Sequence, residues 1–222
     1  MTSVDPATAT HKALWDMALI HRIFRTSFAE LVRIVPTVPS TDTARINAVM
    51  AHLTFMIDGL TAHHTTEDEH VWPALHERAQ PSKALVDRME AQHHVIHDAL
   101  DDVQRLGVAW SAQPSPTTNS ALTAALTHML EVLTEHLDEE ERDVVPIIAE
   151  HVTADEWEKA GRAAFDTFTP AQRFIATGLM LEVATPAESA AMMGGLPPPV
   201  KILWTLMGKR RYQRYVAAFR GQ

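Results

Sequence analysis

The strongest constraint on the fold is a sparse motif that the chain contains twice. Residues 63–73 read HHTTEDEHVWP, and residues 136–146 read HLDEEERDVVP. In each stretch a Glu follows the first His by four residues, and a Pro follows that Glu by six residues. Because residues i and i+4 share one face of an α-helix, each copy predicts a helix that presents a His beside a Glu.

Apolar residues at alternating spacings of three and four predict four amphipathic helices. Their inward positions run from Leu14 to Leu31, Ile46 to Glu67, Val86 to Val103 and Leu122 to Glu140. The chain has 8 Gly, no Cys and many Ala, Leu, Met and Glu, a composition that favours helix. We therefore expect an all-α fold, with an antiparallel four-helix bundle in residues 10–151 and an additional C-terminal helical segment in residues 152–222.

Breaks in the pattern predict where these helices stop. Pro36 is expected to end the first helix and Gly107 the third, with residues 107–119 forming a loop. Pro73 and Pro146 each lie near the end of a long helix, where the missing N–H and a ring clash are expected to kink or end it.

Polar residues occupy inward positions on all four predicted helices. A second internal offset, of 72 residues, relates the first helix to the third. Each of the four helices therefore places one His on its line of inward positions, called the seam below. The inward polar residues are His21, His63, Glu67, His93, His136 and Glu140. Burying such groups unpaired costs on the order of several kcal/mol per charged group. Imidazole and carboxylate ligands suit iron, manganese or zinc, and two carboxylates can bridge two ions, so we expect a pair of divalent cations.

His97 is an open case. It follows His93 by one helical turn, so both can face inward, but under the internal repeat it corresponds to Arg25, which is not a ligand type. The other histidines are interpreted as non-ligands. His64 and His94 are rotated by about 100° from a seam position. The remaining ones lie off the seam, near element ends or beside Pro73: His11, His52, His70, His76, His128 and His151.

These residues together resemble the hemerythrin-like, or HHE cation-binding, family over about residues 10–150. The resemblance implies a four-helix bundle that holds two iron ions, non-haem, carboxylate- and oxo-bridged. Glu67 and Glu140 would be the bridges, and the four seam histidines the terminal ligands. Two departures are visible. Oxygen-carrying members have a carboxylate five residues after the last His, whereas Glu140 stands at four and Glu141 at five. They also use two histidines spaced like His93 and His97.

The implied chemistry is binding or reduction of a small oxidant, which is O2, H2O2 or NO. Catalase-like peroxide disproportionation is the enzymatic hypothesis, and a non-enzymatic O2 or iron storage or sensor protein is the alternative. A third hypothesis is regulatory, with the C-terminal segment reporting iron occupancy to a partner. If His97 is a ligand, one ion has no open coordination position, as in a carrier. If it is not, both ions keep an open coordination position and peroxide chemistry is favoured.

Charge is distributed unevenly and bears on partners. Residues 1–151 hold 10 Lys/Arg and 22 Asp/Glu, whereas residues 152–222 hold 9 Lys/Arg and 6 Asp/Glu. The first region is therefore acidic, which argues against a nucleic-acid partner. We expect the basic C-terminal segment to fold back onto this body; a protein partner, a dimer or, less expected, a membrane surface are the alternatives. With no export signal or apolar span in the sequence, a cytoplasmic location is expected.

Three helix starts are predicted in the C-terminal segment. Thr153 forms a capping box with Glu156, and Thr-Pro pairs begin at Thr169 and Thr185. A break is expected at residues 194–199, which read GGLPPP.

Overall fold

A computed structural model describes residues 4–221, and this part of the chain is helical, without a β-strand. The α-helices are α1 (Ala13–Ile34), α2 (Thr43–Thr66), α3 (Trp72–Arg78), α4 (Lys83–Ala112), α5 (Pro116–Glu139), α6 (Val145–His151), α7 (Ala154–Asp166), α8 (Pro170–Val183), α9 (Pro186–Gly195), α10 (Pro198–Leu203) and α11 (Lys209–Arg220). Short 3₁₀ turns lie at Val35–Thr37 and Gln80–Ser82, and π-helical segments at Glu67–Val71, Glu140–Val144 and Trp204–Gly208.

The four long helices, α1, α2, α4 and α5, pack around a shared apolar core. α1 contacts α2 and α5, and α4 contacts the same two helices. Their inward side chains are almost completely buried, including Phe28, Leu31, Val49, Leu53, Leu60, Leu126 and Leu133. These are positions that the three-and-four spacing predicts to be inward. Each such side chain contributes roughly 1.5–3 kcal/mol by leaving water.

The predicted end of the first helix is confirmed, but that of the third is wrong. α1 ends at Ile34 and passes into a 3₁₀ turn that contains Pro36. α4 continues through Gly107 to Ala112. A Cβ at Gly107 would lie 3.0 Å from Leu53 Cδ2, so this glycine allows α4 to approach α2 closely rather than ending the helix. The expected loop of residues 107–119 shortens to 113–115, because Ser115 caps an earlier start of α5.

Each HxxxE motif leads into a π-helical segment. The Trp72 N–H donates to the Glu67 carbonyl and the Val145 N–H donates to the Glu140 carbonyl, five residues back in both cases. Pro73 and Pro146 follow as the second residues of α3 and α6, where a backbone N–H is missing. The predicted disturbance therefore takes the form of a widened turn, which occurs in helices mostly at functional sites.

The C-terminal segment folds back onto the four long helices. The three predicted starts are confirmed, since Thr153, Thr169 and Thr185 each form a reciprocal capping box. α11 packs against α2 and α8, and α8 packs against α1. Leu179 and Phe219 join the same apolar core as the long helices. The predicted break is also present, because α9 ends at Gly195 and α10 begins at Pro198.

His52 connects α2 to the C-terminal segment. Its Nδ1 lies 2.7 Å from the Tyr215 hydroxyl, and its ring stacks on Phe219 with centroids 4.2 Å apart. Burial, with a smaller contribution from the charge of Arg220, lowers the pKa of His52 to about 3. The ring is therefore a neutral part of the core. No helix within residues 4–221 combines the length and apolar character needed to cross a bilayer.

Candidate metal centre

The structure brings six of the seven predicted ligands into one buried cluster. Within it, ligand atoms converge in two groups, and the atoms of each group lie within 4.8 Å of one another. The first group contains His21, His63, Glu67 and Glu140, and the second contains His64, His93 and His136.

Every long helix contributes to this cluster. α1 supplies His21, α4 supplies His93 and α5 supplies His136. α2 supplies His63 and His64, while the two glutamates are the first residues of the π-helical segments. The glutamates remain one turn beyond the histidine of their motif, so the expected His–Glu proximity is present.

The two carboxylates of the first group also approach histidines of the second group. Glu67 Oε1 is 3.3 Å from His63 Nε2, and Glu67 Oε2 is 3.6 Å from His93 Nε2. Glu140 Oε2 is 3.3 Å from His21 Nε2 and 3.6 Å from His136 Nε2. Each glutamate thus faces one histidine of each group, which is the placement that a bridging carboxylate requires.

The rings are held by hydrogen bonds from their outer nitrogens. Nδ1 of His21 donates to Glu141 Oε1 at 2.9 Å, and Nδ1 of His93 donates to Asp68 Oδ1 at 2.8 Å. Nδ1 of His136 donates to Gln92 Oε1 at 2.9 Å. Such partners fix the tautomer and direct Nε2 inward, as they do around metal-bound histidines.

Most of the inward atoms lack a hydrogen-bond partner among the described residues. All four oxygens of Glu67 and Glu140 are buried and make no hydrogen bond to the described residues, and the same holds for Nε2 of His93 and His136. Nε2 of His21 and Nε2 of His63 lie 3.2 Å apart and share one hydrogen bond. Orphaned buried polar atoms cost about 1–3 kcal/mol each. Cations bound between these atoms would satisfy them, so these residues fit a metal centre.

The electrostatics of the cluster also favour a cation. Burial lowers the pKa of His136 to about 4 and that of His63 well below its ordinary value, which keeps both imidazoles neutral and able to ligate. Burial and the adjacent Glu140 raise the pKa of Glu67 well above its ordinary value. For Glu140 burial acts in the same direction, but His21 outweighs it and the pKa falls.

His21 is the exception among the histidines. Burial alone would lower its pKa, yet Glu140 and Glu141 outweigh burial and raise it. The two carboxylates thus favour a positive charge on the His21 ring, at the position where a cation would carry it.

His64 corrects one expectation. The pattern of one residue per turn predicts it off the seam, but the ring is only 5% exposed and lies in the second group. His64 follows Leu60 by four residues and precedes Glu67 by three, so it satisfies helical spacing as well as His63 does. That double spacing was the signal available in the sequence.

His97 is not brought to the cluster. It is exposed on α4, as are His94 on the same helix and His128 on α5, and none of the three is in either group. Arg25, its counterpart in the internal repeat, donates to Glu141 at 2.5 Å. The carboxylate five residues after His136 thus supports His21 and Arg25 from outside the ligand groups.

Together, the helical fold and the buried set of imidazoles and carboxylates define a cation-binding helical protein. In a comparison with family models, residues 13–148 match the hemerythrin HHE cation-binding domain, and the chain belongs to this family. The match contains both ligand groups and ends before the C-terminal segment. Comparisons with curated proteins and with solved structures gave no significant match.

Proposed function

We propose that this chain is a hemerythrin-like four-helix bundle that holds two iron ions and uses them to bind or reduce a small oxidant, which is O2, H2O2 or NO. One observation carries the proposal. Two buried carboxylates, which make no hydrogen bond to the described residues, each face histidines of both ligand groups. A single ion does not need two ligand groups linked in this way.

The donor set supports iron. Imidazole nitrogens and carboxylate oxygens suit non-haem iron, whereas a structural zinc site usually has four ligands in a closed tetrahedron, often with thiolates. In this proposal Glu67 and Glu140 are the bridging ligands, and His21, His63, His93 and His136 are terminal ligands. An iron pair supplies reversible changes of oxidation state and coordination positions for a small molecule.

The protein residues determine what can reach the ions. Glu140, His21 and His136 are 0% exposed and Glu67 is 2% exposed, so bulk water is excluded. The side chain of His63 is 14% exposed, and Phe24 packs beside it with ring centroids 5.5 Å apart. With the ligands buried to this degree, a molecule that reaches the ions past these side chains has to be small. This supports a small oxidant as the partner.

The first test is the metal content and absorption spectrum of the purified, air-oxidised protein. We expect about two Fe per chain and the charge-transfer absorption of a ferric pair. A colourless protein that contains only zinc would contradict the proposal.

Reactivity separates the enzyme from the binding protein. Steady O2 evolution from H2O2 by the iron-loaded protein, lost in His63→Ala and kept in His94→Ala, supports catalase-like turnover. His94 is a matched control because it is also a histidine next to a ligand, but it is exposed. A spectrum that changes reversibly between air and argon without turnover supports the O2 carrier, storage or sensor alternative.

A further inference from the structure

We propose that His64 is a metal ligand, the third imidazole on the ion held by His93 and His136, and that it makes the two metal positions unequal. This inference rests on the proposed two-ion centre and names a ligand that the HxxxE motifs do not include. His97 on α4, which the sequence left open as a ligand, is exposed and lies in neither group.

The geometry places the His64 ring against both partners. It stacks on His93 with centroids 4.0 Å apart and planes 11° from parallel, and it meets His136 edge-on at 5.2 Å. Ligand atoms of the three residues lie within 4.8 Å of one another. Three imidazoles from three helices thus bring ligand atoms together, and Glu67 and Glu140 of the other group lie 3.6 Å from His93 Nε2 and His136 Nε2.

The Nε2 atom of His64 has no hydrogen-bond partner among the described residues. It is buried, as are the Nε2 atoms of His93 and His136, which also make no hydrogen bond to any described residue. Three orphaned imidazole nitrogens in one place would cost several kcal/mol in total on a scale of about 1–3 kcal/mol each. A core residue of similar size avoids that cost; the internal repeat has Leu137 at this position on α5, fully buried.

The two ions then differ in their number of protein donors. His64, His93 and His136 with the two glutamates give one ion five donors, whereas His21 and His63 with the same glutamates give the other four. Six-coordinate iron therefore has more open positions on the His21–His63 side. That is also the side with solvent exposure, at His63. The exogenous small molecule is thereby directed to a single ion.

The experiment measures metal retention in the full-length protein. Wild type, His64→Ala, His94→Ala and His97→Ala are loaded with iron, dialysed against a graded chelator and assayed for Fe per chain. We expect wild type, His94→Ala and His97→Ala to retain two ions together, and His64→Ala to release one ion at a chelator strength at least about ten-fold lower. Loss of partners outside the ligand shell already weakens metal sites roughly 10–100-fold, so loss of a ligand should do at least as much.

The same samples distinguish the two hypotheses. If wild type itself never holds two ions, the proposed function fails and His64 is not at issue. If wild type holds two and His64→Ala holds them equally tightly, with an unchanged Mössbauer spectrum, the His64 proposal is overturned and the proposed function stands. Circular dichroism of each variant confirms that the helices are formed.

A measurement on wild type avoids dependence on the variant's folding. The ¹⁵N-labelled apoprotein is titrated with zinc, a diamagnetic probe, and long-range ¹H–¹⁵N spectra of the histidine side chains are recorded. One nitrogen of His64 should move to the metal-bound range together with His93 and His136, while His97 stays unchanged. A His64 ring that keeps its apoprotein shifts, or a His97 ring that moves in its place, refutes the inference.

Discussion

At the residue scale, the buried carboxylate of Glu67 lowers the stability of the apoprotein and favours the binding of a cation. Its carboxylate is 2% exposed, and both oxygens lack hydrogen-bond partners among the described residues. Burial raises its pKa, which means that the folded apoprotein resists the charge that a metal needs. A group of this kind destabilises the empty fold and is compensated only when a cation is present.

Replacing this carboxylate separates the two effects. We expect apo Glu67→Gln to be as stable as apo wild type or up to about 1 kcal/mol more stable, because a buried carboxylate without partners is removed. The same variant should bind fewer than two ions. Urea unfolding of the apoprotein and metal analysis after loading check both. A clear loss of apoprotein stability, with Glu69→Gln unchanged as the exposed control, would show that Glu67 has a structural role.

The outer hydrogen bonds of the histidines give a second test at this scale. Asp68 accepts from His93 Nδ1 at 2.8 Å and is itself exposed. We expect Asp68→Ala to weaken binding of one ion about 10–100-fold, because the ring loses its fixed tautomer and orientation. Its neighbour Glu69 is also exposed and makes no hydrogen bond to a ligand histidine within the described part of the chain, so Glu69→Ala should match wild type. Competition with a chromogenic chelator measures both affinities.

Sequence spacing predicted which histidines and glutamates converge, but not the complete set. Seam positions at i and i+4 identify His63 and Glu67 because that pair shares one helix face. The same rule does not say how wide the buried face is. Near the ligands it is wide enough to bury His64 as well, and on α5 it buries both His136 and Leu137. The width depends on how closely neighbouring helices approach, which is a tertiary property.

At the element scale, small residues decide how closely helices approach. Gly178 of α8 faces α11, and a Cβ there would overlap the ring of Tyr212. Tyr212 is itself held in place, because its hydroxyl donates to Glu182. Burial and this carboxylate raise the pKa of the hydroxyl, so it keeps the proton that it donates. By contrast, a Cβ added at Gly161 of α7 would meet no described neighbour within 4 Å outside its own stretch of helix. Two glycines within helices thus have opposite roles.

Alanine substitutions should reveal this difference. We expect Gly161→Ala to stabilise the protein by about 0.5–1 kcal/mol, the usual gain in an exposed helix interior. Gly178→Ala should destabilise it by about 1–3 kcal/mol, because a rigid ring must move out of a packed contact. Chemical unfolding of the two variants in parallel measures both values. Equal gains at both positions would mean that α8 and α11 are not in close contact.

Three helix starts in the C-terminal segment were predictable from the sequence, whereas the end of α4 was not. Thr153 was identifiable from its capping-box partner Glu156, and Thr169 and Thr185 from the Pro that follows each, and both signals are local features. Gly107 was misinterpreted because the sequence does not distinguish a glycine within a helix from a glycine that ends one. Only the proximity of Leu53, on a different helix, distinguishes them.

At the scale of the whole molecule, the C-terminal segment is part of the folded unit. Arg220 of α11 pairs with Glu30 of α1 at 2.7 Å. His52 of α2 lies beneath Tyr215 and Phe219. The net charges of the two regions favoured this docking, but they could not identify the contacting residues. Arg220 and Glu30 are 190 positions apart and His52 and Tyr215 are 163 apart, so nothing in local spacing encodes these pairs.

Acid should weaken this docking through His52. Its folded pKa of about 3 lies below the unfolded value of 6.5, so as pH falls the unfolded chain takes up the proton first. His52 therefore removes stability progressively from pH 6.5 down to about 3, at up to about 1.4 kcal/mol per pH unit. We expect apo His52→Gln to lose less stability than apo wild type between about pH 7 and 5, measured by urea unfolding.

The comparison with wild type isolates this one residue, since the buried histidines of the cluster titrate equally in both proteins. His128→Gln is the matched control, because His128 is exposed and its substitution should leave the pH dependence of wild type intact. Identical pH slopes for wild type and His52→Gln would show that His52 is not neutral and buried in solution.

The partial exposure of the His63 side chain has a consequence for how electrons would arrive. That side chain is 14% exposed, whereas the side chains of His21 and Glu140 are 0% exposed and that of Glu67 is 3% exposed. On the proposed function, an external reductant would therefore transfer electrons through the edge of the His63 ring rather than through a fully buried ligand. A donor docked over His63 would also cover the side from which the small oxidant approaches.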